Sequence, residues 1–270
     1  MHLIRFIIYS NILVSLAAGT LTYSVSSYFS FSDALFYGWC VTLATLFLYN
    51  LQRLMRFEDV EKQASDRHKW LVLHRGAITI LCVLGAAGGV VTYLLLGLSN
   101  DVYLIIALTL VGFFYAYSGW RFNALRELPY LKIYLIAFVW TLVSVVWPVY
   151  REGVWNEDVL IMSCVVFLYI LATTIPFDIR DLTYDHEQQK TIPQLLGKQR
   201  SKYTSALLLL FSAGTLIGLN HLFLLNPLFY SAYLGMIALI AYSDDKRAEM
   251  YFSGWIDGWI IVFSTMFLVT

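Results

Sequence analysis

Asp178, Asp181 and Asp185 stand at positions i, i+3 and i+7, just beyond Pro176 in a strongly apolar chain. At about 100° per residue, helical geometry places their carboxylates within about a 60° arc of one face. Like charges so placed repel, so a cation is expected among them. An all-oxygen cluster suits a hard ion such as Mg²⁺, which binds through one or two carboxylates, waters and substrate phosphates. Lys190, with Arg180, Lys198 and Arg200, is near enough in sequence to meet phosphate oxygens. An ordinary charged membrane-exit loop is the competing reading; the regular spacing directly against an apolar run favours a site.

The elements that carry these groups are set by composition. Of the 270 residues, 59% are hydrophobic and only 13% charged, whereas soluble chains carry about a quarter charged residues. The chain is therefore an integral membrane protein, and its net charge of zero gives no reason to expect nucleic acid. Nine apolar runs, near 3–28, 32–52, 76–97, 101–119, 130–150, 157–177, 202–222, 226–243 and 254–270, approach the length needed to cross a bilayer core. The first exceeds the apolar length of a usual secretory signal and is read as a span. With the amino terminus in the cytoplasm, 17 of the 18 Lys and Arg residues fall on the inner side and only Arg151 falls outside. That asymmetry places the aspartates at the cytoplasmic face, in a cell inner membrane.

The runs form one domain, 1–270, with no linker between them. Pro176 is expected to bend the sixth run as it nears the aspartates. Small residues, Ala17-Ala18-Gly19 and Ala86-Ala87-Gly88-Gly89, suit close helix packing in lipid. Cys40, Cys82 and Cys164 lie inside apolar runs and read as core residues, and the five histidines lack metal-ligand spacing. At the inner end of the second run Asn50 and Arg53 share a helix face, with Glu58 near it if the helix continues. Tyr117, Arg121 and Lys132 bracket the loop between the fourth and fifth runs, where a hydroxyl and cations suit a diphosphate; an aromatic interface belt explains the same residues. Asp257 is an intramembrane carboxylate, hence a functional candidate, although helix capping also accounts for it.

Together these residues resemble the UbiA-type intramembrane prenyltransferases. Asp178-x-x-Asp181-x-x-x-Asp185, followed by Lys190-Thr191-Ile192-Pro193 and Gly197, is similar to that family's second aspartate-rich motif, and Tyr117-x-x-x-Arg121 to its tyrosine-to-lysine element with Arg for Lys. The first aspartate-rich motif departs from the pattern: Asn50 is kept, Leu51 and Leu54 stand for two aspartates, and Glu58 stands for the third. The resemblance implies an all-α polytopic membrane helix bundle, about nine transmembrane helices around a central cavity opening to the cytoplasm. It also implies Mg²⁺-dependent transfer of a prenyl group from an allylic polyprenyl diphosphate to a lipophilic acceptor, with membrane lipid around the protein.

On this reading Asp178, Asp181 and Asp185 are the metal-binding and catalytic residues. Asn50, Arg53, Glu58, Tyr117, Arg121, Lys132 and Lys190 bind substrate. The altered first motif calls the family's two-metal arrangement into question, and Arg53, with Arg56, is expected to supply the missing positive charge. A terpene cyclase of the same fold, a non-catalytic prenyl-lipid scaffold and a transporter are the rival readings.

Overall fold

Lipid offers backbone groups no hydrogen-bond partner, so each apolar run must satisfy its own N–H and C=O groups, and a helix does so within one segment. The computed structural model describes residues 2–55, 66–117, 124–183 and 189–269, and every regular element in them is helical. In chain order these are α1 (His2–Tyr9), α2 (Ile12–Tyr28), α3 (Ala34–Met55), α4 (Asp66–Leu73), α5 (Arg75–Leu95), α6 (Val102–Ala116) and α7 (Leu131–Thr141). A π turn, Leu142–Val146, joins α7 to α8 (Trp147–Glu152). Then come α9 (Glu157–Asp181), α10 (Ile192–Leu196), α11 (Lys198–Leu219) and α12 (Pro227–Ala241), and a second π turn, Tyr251–Ile256, leads into α13 (Asp257–Thr265).

All nine expected runs fall on helices. Among the described residues six stretches are long and apolar enough to cross a membrane, and the α1–α2 pair makes a seventh if its two parts are one span. α6 and α12 are apolar but 15 residues long, about 22 Å against a hydrocarbon core of about 30 Å. The first run is not the continuous helix expected over 3–28: it bends by 64° between α1 and α2. Asn11, at the break, adopts a left-handed conformation with φ 64°, which Asn tolerates better than the β-branched and aliphatic residues around it.

α2 packs against α3 and α13, α3 against α5, and α9 against α11 and α7. Small residues set the close approaches, as the sequence predicts. A Cβ on Gly19 would stand 1.7 Å from Thr42 Oγ1 and 2.6 Å from the Gly38 carbonyl oxygen, and one on Gly85 would stand 2.7 Å from the Phe47 nitrogen. The core is aromatic between α9, α12 and α13, where Tyr169 stacks on Phe263 with ring centroids 3.6 Å apart. Large apolar side chains on the outer surface of α5, among them Ile80, Val83 and Val91, are exposed and suit contact with lipid.

One end of the bundle is closed by a buried ion pair. Asp101, fully buried before α6, accepts hydrogen bonds from Tyr93 Oη and Trp147 Nε1, each at 2.8 Å, and from Arg151 Nη1 at 2.9 Å. Arg151, the single cation the basic-residue pattern leaves outside, also donates to the carbonyls of Leu96 and Gly97. Its charge is thereby spent within the structure.

Candidate functional site

The opposite end of α7–α8 lies about 30 Å away along a stretch of 22 residues, and there the aspartates sit. α9 begins with Asn156, whose side chain accepts from the Val159 N–H, and with Glu157 and Asp158 in its first turn; both features favour a helix start. It runs unbroken through Pro176 to Asp181. Proline has no N–H for the carbonyl of Ala172 four residues earlier, and Ser205 on α11 donates to that carbonyl instead, at 2.6 Å. The last turns of α9, which carry Asp178 and Asp181, are thus pinned to a neighbouring helix at their weakest point.

Asp178 is 1% exposed. Lys132, in the first turn of α7, reaches between the two carboxylates, with Nζ 3.0 Å from Asp178 Oδ1 and 3.4 Å from Asp181 Oδ2. Arg180 donates to both oxygens of Asp181, at 2.7 and 3.1 Å, and its guanidinium lies 5.1 Å from the Phe177 ring centroid and 5.7 Å from that of Phe252. Two carboxylates on one helix face offer the oxygen donors a hard cation prefers, and a cation, the lysine ammonium, already stands at them. Among the described residues no three His, Cys, Asp or Glu side chains converge on one point. Asp185, the third carboxylate of the motif, lies outside the described residues, as do Glu58, Arg56 and Arg121.

Arg53, in the last turn of α3, forms no hydrogen bond or ion pair with the described residues and is within electrostatic range of Arg67, Glu249, Arg180 and Arg126. Tyr115 is within range of Lys132, Arg126, Asp178 and Asp181. Tyr117 is placed differently from Tyr115. It is 40% exposed at the end of α6 and stacks on Phe113 at 5.2 Å. Lys190 is exposed, with Nζ 5.7 Å from the Tyr130 ring centroid. Asp257 follows the second π turn inside a continuous helix, so it caps no helix start; it lies within range of Arg67 and Arg180.

Asn50 is fully buried and its amide is committed to the α1–α2 break. It donates to the carbonyls of Ser10 and Leu46 at 3.2 and 2.9 Å, and its oxygen accepts from Asn11 Nδ2 at 3.0 Å. Asn11 Oδ1 accepts from Arg67 Nη2 at 2.9 Å, while Arg67 Nη1 donates to Glu249 at 2.9 Å and to Ser253 Oγ at 3.2 Å. Burial opposes ionisation of Glu249, but Arg67, Arg180 and Arg53 outweigh it and hold this carboxyl below the usual glutamate range. Arg67 and Glu249 were not singled out by the sequence, because each sits in a charged connection where solvated side chains are the rule.

An all-helical membrane bundle with a one-ended cluster of carboxylates, guanidinium groups and an ammonium is the class the geometry defines. No family model matches the chain, nor does any curated protein sequence. Solved structures do match. A UbiA homologue from Aeropyrum pernix K1 superposes with TM-score 0.65 at 17% identity, over 96% of this chain and 97% of the other. A UbiA homologue from Archaeoglobus fulgidus, bound to GPP and Mg²⁺, gives 0.64 at 14% identity, over 97% and 100%. A digeranylgeranylglyceryl phosphate synthase in membranes gives 0.59 at 16% identity, over 100% and 98%. The fold is therefore the UbiA-type fold.

Proposed function

We infer that the chain is an intramembrane prenyltransferase that moves a prenyl group from an allylic polyprenyl diphosphate to a lipophilic acceptor. The reading rests on the Asp178–Lys132–Asp181 arrangement at one end of the bundle, with Arg180 paired to Asp181, Tyr115 within range of both carboxylates, and Arg53 within range of Arg180 and Arg126. The solved neighbour bound to GPP and Mg²⁺ supports a prenyl diphosphate as substrate.

The prenyl chain lies among the apolar helices with its diphosphate at the polar end, which the basic-residue pattern assigns to the cytoplasm. Arg53, Arg126 and Lys132 receive charge on the leaving group, and Tyr115 donates a hydrogen bond to it. The allylic carbon–oxygen bond breaks with its electron pair going to the diphosphate. The acceptor's nucleophilic atom then bonds to the allylic carbon and gives up a proton. Apolar helix walls exclude water that would quench the cation. Asp178 and Asp181, together with Asp185, would hold Mg²⁺, which supplies further positive charge to the diphosphate oxygens. Arg53 takes over charge that the altered first motif no longer supplies through a metal, and Asn50 acts as a positioning residue by bracing Asn11.

Binding of a non-hydrolysable geranylgeranyl diphosphate analogue to protein in nanodiscs tests the reading. Mg²⁺ is expected to tighten binding to the natural sequence, and Asp181→Asn is expected to lose that enhancement. Absence of binding across several prenyl lengths, in folded protein, would overturn it. Binding without turnover of any prenyl diphosphate would move the chain to the scaffold reading.

A further inference from the structure

Lys132 contributes an ammonium to the very oxygens that a metal would use. Its Nζ lies 3.0 Å from Asp178 Oδ1 and 3.4 Å from Asp181 Oδ2, and its side chain is only 14% exposed. A divalent ion and this ammonium cannot both occupy the space between the two carboxylates, because like charges at such separations repel strongly in a poorly hydrated site. An arriving diphosphate, however, gives the lysine another anion to face. We propose that Lys132 is a resident counter-ion that makes metal binding and diphosphate binding interdependent. Without substrate it neutralises Asp178 and Asp181 and weakens their hold on a metal. When a diphosphate binds, the ammonium swings to the phosphate oxygens and the carboxylates are released to the metal.

Several features favour this over an ordinary structural ion pair. Lys132 sits in the first turn of α7 on a flexible four-carbon stem, so its head can move by a few ångströms while the helix stays in place. Asp181 has a second cation in Arg180, so departure of Lys132 does not leave that carboxylate bare. Tyr115 lies within electrostatic range of Lys132, Arg126, Asp178 and Asp181 alike, so a phosphate that accepts from its hydroxyl has Lys132 nearby. The exchange also fits the charge balance of the site, since a diphosphate adds negative charge as a divalent ion adds positive charge.

The inference rests on the diphosphate reading of the site, and its test separates the two. Mn²⁺ binding, followed by its EPR spectrum in nanodiscs, is measured without and with the geranylgeranyl diphosphate analogue. In the natural protein the analogue is expected to raise Mn²⁺ affinity about tenfold or more, and Mn²⁺ to raise analogue affinity by the same factor. Lys132→Met is expected to bind Mn²⁺ alone more tightly than the natural protein, to bind analogue more weakly, and to lose most of the coupling. Lys132→Arg, which keeps the charge, is expected to retain weak binding of Mn²⁺ alone.

A purely structural lysine predicts that Lys132→Met weakens Mn²⁺ and analogue together, which would overturn the inference. So would a coupling factor near one in the natural protein, a measurement that needs no variant to fold. If both ligands bind without coupling, only the role of Lys132 falls. If neither the analogue nor Mn²⁺ binds under any condition, the diphosphate reading falls with it.

Discussion

Arg53 and Arg67 are neighbouring guanidinium groups with opposite duties. Arg67 is 3% exposed and spends its donors on Asn11, Glu249 and Ser253, so Arg67→Leu strands a buried amide oxygen and a carboxylate. The expected cost is about 2–3 kcal/mol, from loss of hydrogen bonds to a charged group, and it is read as a fall in the thermal midpoint of purified protein. Arg53 has no such partners among the described residues. Arg53→Ala is therefore expected to leave the midpoint nearly unchanged and to weaken binding of the prenyl diphosphate analogue about tenfold, as loss of a charge-assisted contact does. Equal analogue affinity in the two proteins would remove Arg53 from the site.

At the scale of the helices, two irregularities hold the polar end together. The second π turn lies where Ser253 meets Arg67, and π turns widen a helix and re-aim its side chains. The Pro176 gap in α9 is closed by Ser205 from α11. Ser205→Ala is expected to cost about 1 kcal/mol, because the Ala172 carbonyl then has no donor in an apolar setting. Pro176→Ala restores an N–H for that carbonyl, so Ser205→Ala should cost less in its presence. A double-mutant cycle on thermal stability measures the difference; additive costs would show that Ser205 does not replace the missing N–H.

For the whole molecule, the carboxylates Asp101 and Glu249 stand near opposite ends of the bundle and share a pH signature. Burial raises the pKa of each, but hydrogen bonds from Trp147, Arg151 and Tyr93 at Asp101, and the charges of Arg67, Arg180 and Arg53 at Glu249, win and lower it. A depressed folded-state pKa contributes stability that is fully present above the unfolded value, near 4 for a carboxyl, and lost as pH falls through the folded value. Thermal midpoints are therefore expected to be level from about pH 7 to 5 and to fall below about pH 4. Glu249→Gln should lower the neutral midpoint and flatten the acid fall; an unchanged acid limb would show that this carboxylate is not part of the linkage.

The sequence alone determined the membrane class and nine apolar runs that fall on helices, and it grouped Asp178, Asp181 and Lys132 at one end of those runs; the short α4 and α10 were not among its expectations. These follow from one-dimensional facts: apolar length against bilayer thickness, the side on which Lys and Arg collect, and carboxylate spacing within a single helix. Resemblance in the second aspartate motif also pointed to the fold that the solved structures share. The break at Asn11 was not legible, because one asparagine in an apolar run carries no signal until Asn50 and Arg67 are seen to hold it. Nor was the approach of Tyr115 to the aspartates, which depends on how α6 is rotated against its neighbours. Only the tertiary structure decided that Lys132 stands between Asp178 and Asp181, because their helices are distant in sequence and meet through packing.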